Sequence, residues 1–173
     1  MTIKNFVVCG PGRCGGNLLM GLIQATGAQA IRTHDMDYTT GDDSTTAWIK
    51  VDRVDIFDAV CSNIIANRTG QTTHYDRKEI QPFYVGQLEF QRWYQRHLDH
   101  RQNYQSLRNF ARTDLFWYED FAQNWNVVWR RLEITPDPAL LQHPEIQRYI
   151  NVPAPYNYRN IISNYHELRQ FVI

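Results

Sequence analysis

Three groups of residues in this chain have the types and spacing to do chemistry. The first is Gly10-Pro11-Gly12-Arg13-Cys14-Gly15-Gly16-Asn17. A glycine-rich turn running into a helix presents several backbone N–H groups at the positive end of the helix dipole, which suits a phosphate. Arg13 adds a cation and Asn17 a side-chain amide. Gly-Lys-Ser/Thr is absent, so the lysine and magnesium-binding hydroxyl of a Walker loop are missing. A tight strand-to-helix turn without a ligand would use the same glycines. The second group is Arg53 with Ser62. A guanidinium and a hydroxyl can hold a second phosphate if the turn between them folds back; an arginine after a strand also serves as a surface ion pair. The third is Arg32-Thr33-His34. A histidine there could act as a general base near neutral pH, although lone histidines are often structural.

Other polar residues read differently. His97 and His100 have i, i+3 spacing on a predicted helix, open to a metal pair but read as a solvated face. Glu119 and Asp120 are adjacent, so their side chains diverge; they read as a turn or helix start, not an acid–base pair. No Cys/His spacing resembles a zinc site, and no metal is expected.

These residues need elements to hold them. Residues 6–9 form a short apolar run, as in a strand buried on both faces. The glycine turn follows, then a helix over 17–25 closed by Gly27. Residues 28–33 read as a second strand, 35–46 as a loop, 47–51 as a third strand, and 56–67 as a helix. Residues 68–80 are loop-like. A long helix is predicted over 84–110, with Leu88, Trp93, Leu98 and Leu107 among its apolar positions. A strand over 115–118 and a helix over 121–132 follow. Residues 135–160 are proline-rich and irregular, and 161–171 form a last helical segment. This order predicts a three-layer α/β fold with a mostly parallel central sheet and a P-loop-like phosphate-binding turn. Such sheets bind ligands at the carboxyl ends of their strands, where the three groups fall.

Composition bounds the reading. The chain has 173 residues, 43% of them hydrophobic, 21% charged and 13% aromatic. That predicts one domain over residues 1–173 and excludes a disordered or fibrous chain. Eighteen basic and eighteen acidic residues give a net charge of zero, which argues against a nucleic-acid coat or a polybasic membrane binder. Only three of the basic residues are lysine; fifteen are arginine, the residue suited to bidentate phosphate recognition. Cys9, Cys14 and Cys61 are an odd number in a mid-sized chain, which fits reduced thiols and a cytoplasmic location. No signal-peptide pattern and no run of about 18 apolar residues is present.

The three groups together resemble a known family, the small sulfotransferases that use 3′-phosphoadenosine 5′-phosphosulfate (PAPS). Gly12-Arg13-Cys14-Gly15-Gly16-Asn17-Leu18-Leu19 is similar to the Gly-Arg-Ser-Gly-Thr-Thr-Leu-Leu turn of bacterial members. The stretch from Arg53 to Ser62 resembles the family's second motif, an arginine after a strand with a serine further on. Leu115-Phe116-Trp117-Tyr118-Glu119-Asp120-Phe121 is similar to its Tyr-Glu-Asp-Leu/Phe segment, and Ile162 to Leu168 to the closing segment of some short members. Arg32-Thr33-His34 resembles a Lys-Thr-His segment that carries the catalytic histidine in animal members. Cys14, Gly16 and Asn17 depart from the family by removing three hydroxyls, and no Arg-Lys-Gly motif stands near the C-terminus.

The resemblance implies a sulfotransferase-like domain and transfer of a sulfuryl group from PAPS to a hydroxyl or amine of a carbohydrate or small-alcohol acceptor. Gly12, Arg13, Cys14, Gly15, Gly16 and Asn17 would hold the 5′ side of the nucleotide, and Arg53 with Ser62 its 3′-phosphate. His34 would take the acceptor proton, and Arg13 would stabilise charge on the leaving 3′,5′-phosphoadenosine. The alternative is a PAPS- or nucleotide-binding protein of the same fold without transfer. A magnesium-dependent kinase is disfavoured by the missing Gly-Lys-Ser/Thr. The aromatic helix around Phe90, Trp93 and Tyr94 reads as core, although such a face could pair two copies as a homodimer.

Overall fold

A computed structural model describes residues 3, 5–34, 43–70, 79–105, 112–151 and 157–172. The chain is α/β, with a four-stranded parallel sheet. It divides into two compact units, one of Met1–Val54 with His100–Asn151, the other of Asp55–Asp99 with Val152–Ile173. Among the described residues no helix is long and apolar enough to cross a membrane.

The first unit holds the sheet. Its strands are β1 (Asn5–Cys9), β2 (Gln29–Thr33), β3 (Thr46–Asp52) and β4 (Arg112–Trp117), in the spatial order β2-β1-β3-β4. β1 is buried along Phe6 to Cys9, as a central parallel strand must be. The chain leaves β1 for β2 on one side and later returns to β3 on the other. The order therefore reverses at the carboxyl ends of β1 and β3, the place where open α/β sheets form a crevice.

Helix α1 (Gly16–Gln24) packs on β1 and β2 and is covered by two later helices, α5 (Asn126–Leu132) and α7 (Pro144–Ile150). Its Leu18, Leu19, Met20, Leu22 and Ile23 are all buried, so it is a core helix with little surface face. The Trp129 indole N–H donates to the Leu22 carbonyl at 2.8 Å. Gly21 lets α7 approach closely: a Cβ there would lie 2.5 Å from that of Tyr149.

The second unit is built on α2 (Ile56–Thr69) and the start of α3 (Gln87–Gln105), with α8 (Tyr158–Ile161) and α9 (Tyr165–Leu168). The Asp55 side chain caps α2 by accepting from the Phe57 N–H. Phe57, Ile64, Phe90, Ile162 and Leu168 are fully enclosed in this core. Asn164 joins its two chain segments: its side-chain amide accepts from Val85 N–H at 3.0 Å and donates to the Val85 carbonyl at 2.9 Å.

Several expectations are corrected. The irregular stretch 135–160 contains α6 (Pro138–Leu141), α7 and the start of α8; Pro138 and Pro144 each begin a helix, where a missing N–H costs nothing. The helix expected over 121–132 is two, α4 (Tyr118–Phe121) and α5, so Tyr118 starts a helix and does not end a strand. The long helix begins at Gln87, three residues later than read; its expected continuation over 106–110 lies outside the described residues, as does most of the loop at 35–46 and residues 71–78 of the loop at 68–80. Its apolar Leu88 is 71% exposed, whereas the aromatics are core as expected, with Phe90 buried and Trp93 and Tyr94 packed beside it. His97 is buried, not solvated.

Asn164→Ala is expected to leave the Val85 N–H and carbonyl without their partner and to lower stability by about 1–3 kcal/mol. A fall in the urea midpoint with an unchanged slope would show it; an unmoved midpoint would remove the asparagine from the account of this core.

Candidate functional site

The carboxyl edge of the sheet gathers three turns of the first unit. After β1 the backbone passes β3 so closely that a Cβ on Gly10 would lie 2.1 Å from the Val51 carbonyl oxygen. The turn then becomes left-handed at Arg13 (φ 69°) and again at Gly15 (φ 82°). For Arg13 that conformation costs roughly 1–2 kcal/mol. Gly15 avoids that cost and leaves room for the Tyr118 ring, which a Cβ would meet at 2.3 Å. Gly15 is the N-cap of α1, and its carbonyl accepts from Leu19 N–H. A glycine cap puts no side chain in front of the first-turn N–H groups, and this end of α1 carries the positive end of its dipole.

Arg32, at the end of β2, lies against this helix start. Its Nη1 donates to Asn17 Oδ1 at 2.7 Å, and a Cβ on Gly16 would fall 2.7 Å from Arg32 Nε. Its Nη2 reaches His34 Nε2 at 2.9 Å, and His34 Nδ1 reaches the Gly10 carbonyl at 3.0 Å. Donor chemistry assigns the tautomer. A carbonyl only accepts and a guanidinium only donates, so Nδ1 carries the proton and Nε2 offers its lone pair to Arg32. Partial removal from water, followed by the Arg32 charge, holds the His34 pKa below the ordinary histidine value; the Gly10 carbonyl partly offsets them, and His100 adds a further lowering.

The third turn, after β3, is organised by Asp52. This buried carboxylate accepts from the Arg53 N–H at 2.7 Å and from Arg101 Nε at 2.6 Å, and the Cys14 thiol donates to it at 3.7 Å. Arg101 also donates to the Arg53 carbonyl at 2.5 Å and lies over the Trp117 ring. Burial first, then the Asp52 charge, raises the Cys14 pKa and keeps it a thiol. All three cysteines are buried and none is in a disulfide.

Arg53 is itself buried. Its guanidinium stacks 4.5 Å over Tyr118, and its Nε is 3.8 Å from Glu119 Oε1. Glu119 Oε2 accepts from the Val54 N–H at 3.0 Å. The Tyr118-Glu119 start of α4 therefore packs against the Arg53 turn. Among the predicted residues, Gly12 to Asn17, Arg32, His34 and Arg53 all lie at this one edge, in its turns, at the end of β2 or at the start of α1. Ser62 is buried within α2, in the second unit.

Sequence reasoning did not find Asp52, Arg101 or the link between Arg32 and Asn17. An aspartate before the candidate arginine was a local hint, because a carboxylate at a buried strand end needs a cation. Nothing local points to Arg101, which is 49 residues from Asp52. Comparison with protein-family models, curated proteins and solved structures gives no match.

His34 carries a pH signature. The unfolded chain binds a proton near the ordinary value of 6.5, where the folded ring still resists it. The stability contributed by neutral His34 is full above that value and is lost as pH falls through it toward the lowered folded value. Urea unfolding of His34→Gln at a series of pH values should give a flatter acid limb than wild type. Parallel limbs would show that His34 does not titrate as its surroundings require.

Proposed function

We propose that this chain is a sulfotransferase that moves a sulfuryl group from PAPS to an acceptor hydroxyl or amine. One observation carries the reading: the glycine turn at the start of α1, flanked by Arg13 and Arg32, stands where strand order reverses in a parallel sheet. Helix N–H groups and a guanidinium against Gly16 form one anion-seeking surface, and a phosphate is the fitting occupant. Arg53 supplies a further cation, itself buried, at the same sheet edge, for the 3′-phosphate.

PAPS would supply an activated sulfuryl group: the acceptor oxygen bonds to sulfur as the bond from sulfur to the 5′-phosphate oxygen breaks, and 3′,5′-phosphoadenosine leaves with the electron pair. The residues of this chain provide positioning and charge. Arg13 and the N–H groups of the turn stabilise the negative charge that grows on the phosphate side. His34 takes the acceptor proton at Nε2, the ring nitrogen that carries no hydrogen. Sugar hydroxyls, small alcohols and lipids are the acceptor classes to screen.

A second reading, nucleotide binding without transfer, is favoured by two contacts. The thiol that replaces the family's serine points to the Gly12 carbonyl and to Asp52, and His34 Nε2 is occupied by Arg32.

Calorimetry with 3′,5′-phosphoadenosine, 5′-AMP and ATP tests the nucleotide site. The first is expected to bind most tightly, and Arg53→Ala to weaken it by about tenfold or more, the worth of a hydrogen bond to a charged group. Equal binding of all three, or none, would set the sulfotransferase reading aside. Where an acceptor screen finds turnover, His34→Ala is expected to reduce it while nucleotide affinity stays nearly unchanged; undiminished turnover would exclude His34 as the base.

A further inference from the structure

Resting on the sulfotransferase reading, the geometry points to Arg32 as a positioning residue that couples occupancy of the β1–α1 turn to the His34 Nε2 lone pair. Without an anion in the turn, Arg32 caps Nε2. An arriving anion draws Arg32 away and exposes it.

The coupling follows from one guanidinium serving two neutral acceptors. Arg32 divides its donors between the Asn17 amide oxygen and the His34 ring nitrogen, at 2.7 and 2.9 Å. Its Nε edge lies against Gly16, the first residue of α1. An anion on the first-turn N–H groups therefore lies within reach of the same guanidinium. Both present bonds pair a charged donor with a neutral acceptor; a phosphate adds the attraction of an opposite charge and two oxygens for the guanidinium fork, so it outcompetes an amide and an imidazole for Arg32. When Arg32 turns to it, the Nδ1–H bond to Gly10 stays in place and keeps the ring from rotating. Nε2 then points into the position that Arg32 Nη2 has left.

Arg32 from β2 and His100 from α3 both oppose protonation of His34, and the Gly10 carbonyl favours it. Arg32 is hydrogen-bonded both to the ring and to Asn17 at the start of α1. The consequence for the reaction is an order of events: nucleotide first, proton acceptor second. A base exposed only after the donor is seated is not occupied by a stray proton beforehand.

The test is an NMR pH titration of the His34 ring, assigned by the loss of its signal in His34→Gln. It is run on the full chain, with and without saturating 3′,5′-phosphoadenosine, in wild type and Arg32→Ala, and in Arg32→Gln should the alanine variant not fold. Free wild type is expected to show the Nδ1–H tautomer and a low midpoint, which nucleotide moves upward. In Arg32→Ala the midpoint is expected to start higher, and nucleotide to move it much less. A midpoint in the free variant equal to that of free wild type would overturn the proposal. So would an equal nucleotide-induced rise in both proteins, since the phosphate charge would then suffice without Arg32. Absence of nucleotide binding in calorimetry would overturn the nucleotide reading and the coupling with it; the free-protein comparison would still decide whether Arg32 caps His34.

Discussion

A carboxylate buried at the end of a strand has to be met by donors, and Asp52 draws them from three separate parts of the chain. The Arg53 N–H comes from its own turn, the Cys14 thiol from the glycine turn, and the Arg101 guanidinium from the far end of α3. Taking one of these away would leave a charge poorly answered in a place with little water, and that is far costlier than losing a surface contact. The carboxyl edge of β3 is therefore held to the glycine turn on one side and to α3 on the other. The arrangement also accounts for the thiol at position 14. It is a small donor beside a buried anion, kept protonated by burial first and by that anion second, and not a nucleophile.

The glycine turn meets a different constraint, which is space. Gly10 is pressed by the β3 backbone, Gly15 by Tyr118 and by its own left-handed geometry, and Gly16 by Arg32. Each absent side chain admits a particular neighbour. Two of those neighbours, Tyr118 and Arg32, touch other parts of the edge: Tyr118 stacks under Arg53, and Arg32 bonds to Asn17 and His34. Close packing of the turn thus brings three arginines, Arg13, Arg32 and Arg53, to one edge. It also explains how a segment without a Walker lysine retains cations near the helix start.

Much of this was legible in the sequence where the pattern is local. The apolar run at 6–9, the glycines before an apolar helix and the helical spacing over 56–67 all act on their immediate neighbours, and the elements fall within a residue or two of their expected places. Local rules were also misapplied. The prolines of 135–160 make that stretch read as irregular, although Asp137 and His143 stand before Pro138 and Pro144 as caps and mark helix starts. In α3 Phe90 takes the core, as the aromatic pattern predicts, but Leu88, also among the predicted apolar positions, faces the solvent, because a long polar helix leaves more than one stripe to choose from.

The sequence by itself determined the α/β class, the glycine turn between a buried strand and a buried helix, and arginines following two strands. Each depends on hydrogen bonds or side-chain periodicity within a few residues. Only the tertiary structure decided what those residues do to one another: Arg101 on Asp52, Glu119 against Arg53, and Arg32 shared between Asn17 and His34. These contacts join residues far apart in the chain or on different turns. The parallel register of β1, β2 and β3 sets which turns share an edge, and periodicity alone does not specify that register. The state of His34 is the sharpest case, since its tautomer and weakened proton affinity come from a carbonyl and a guanidinium that the fold brings to either side of the ring.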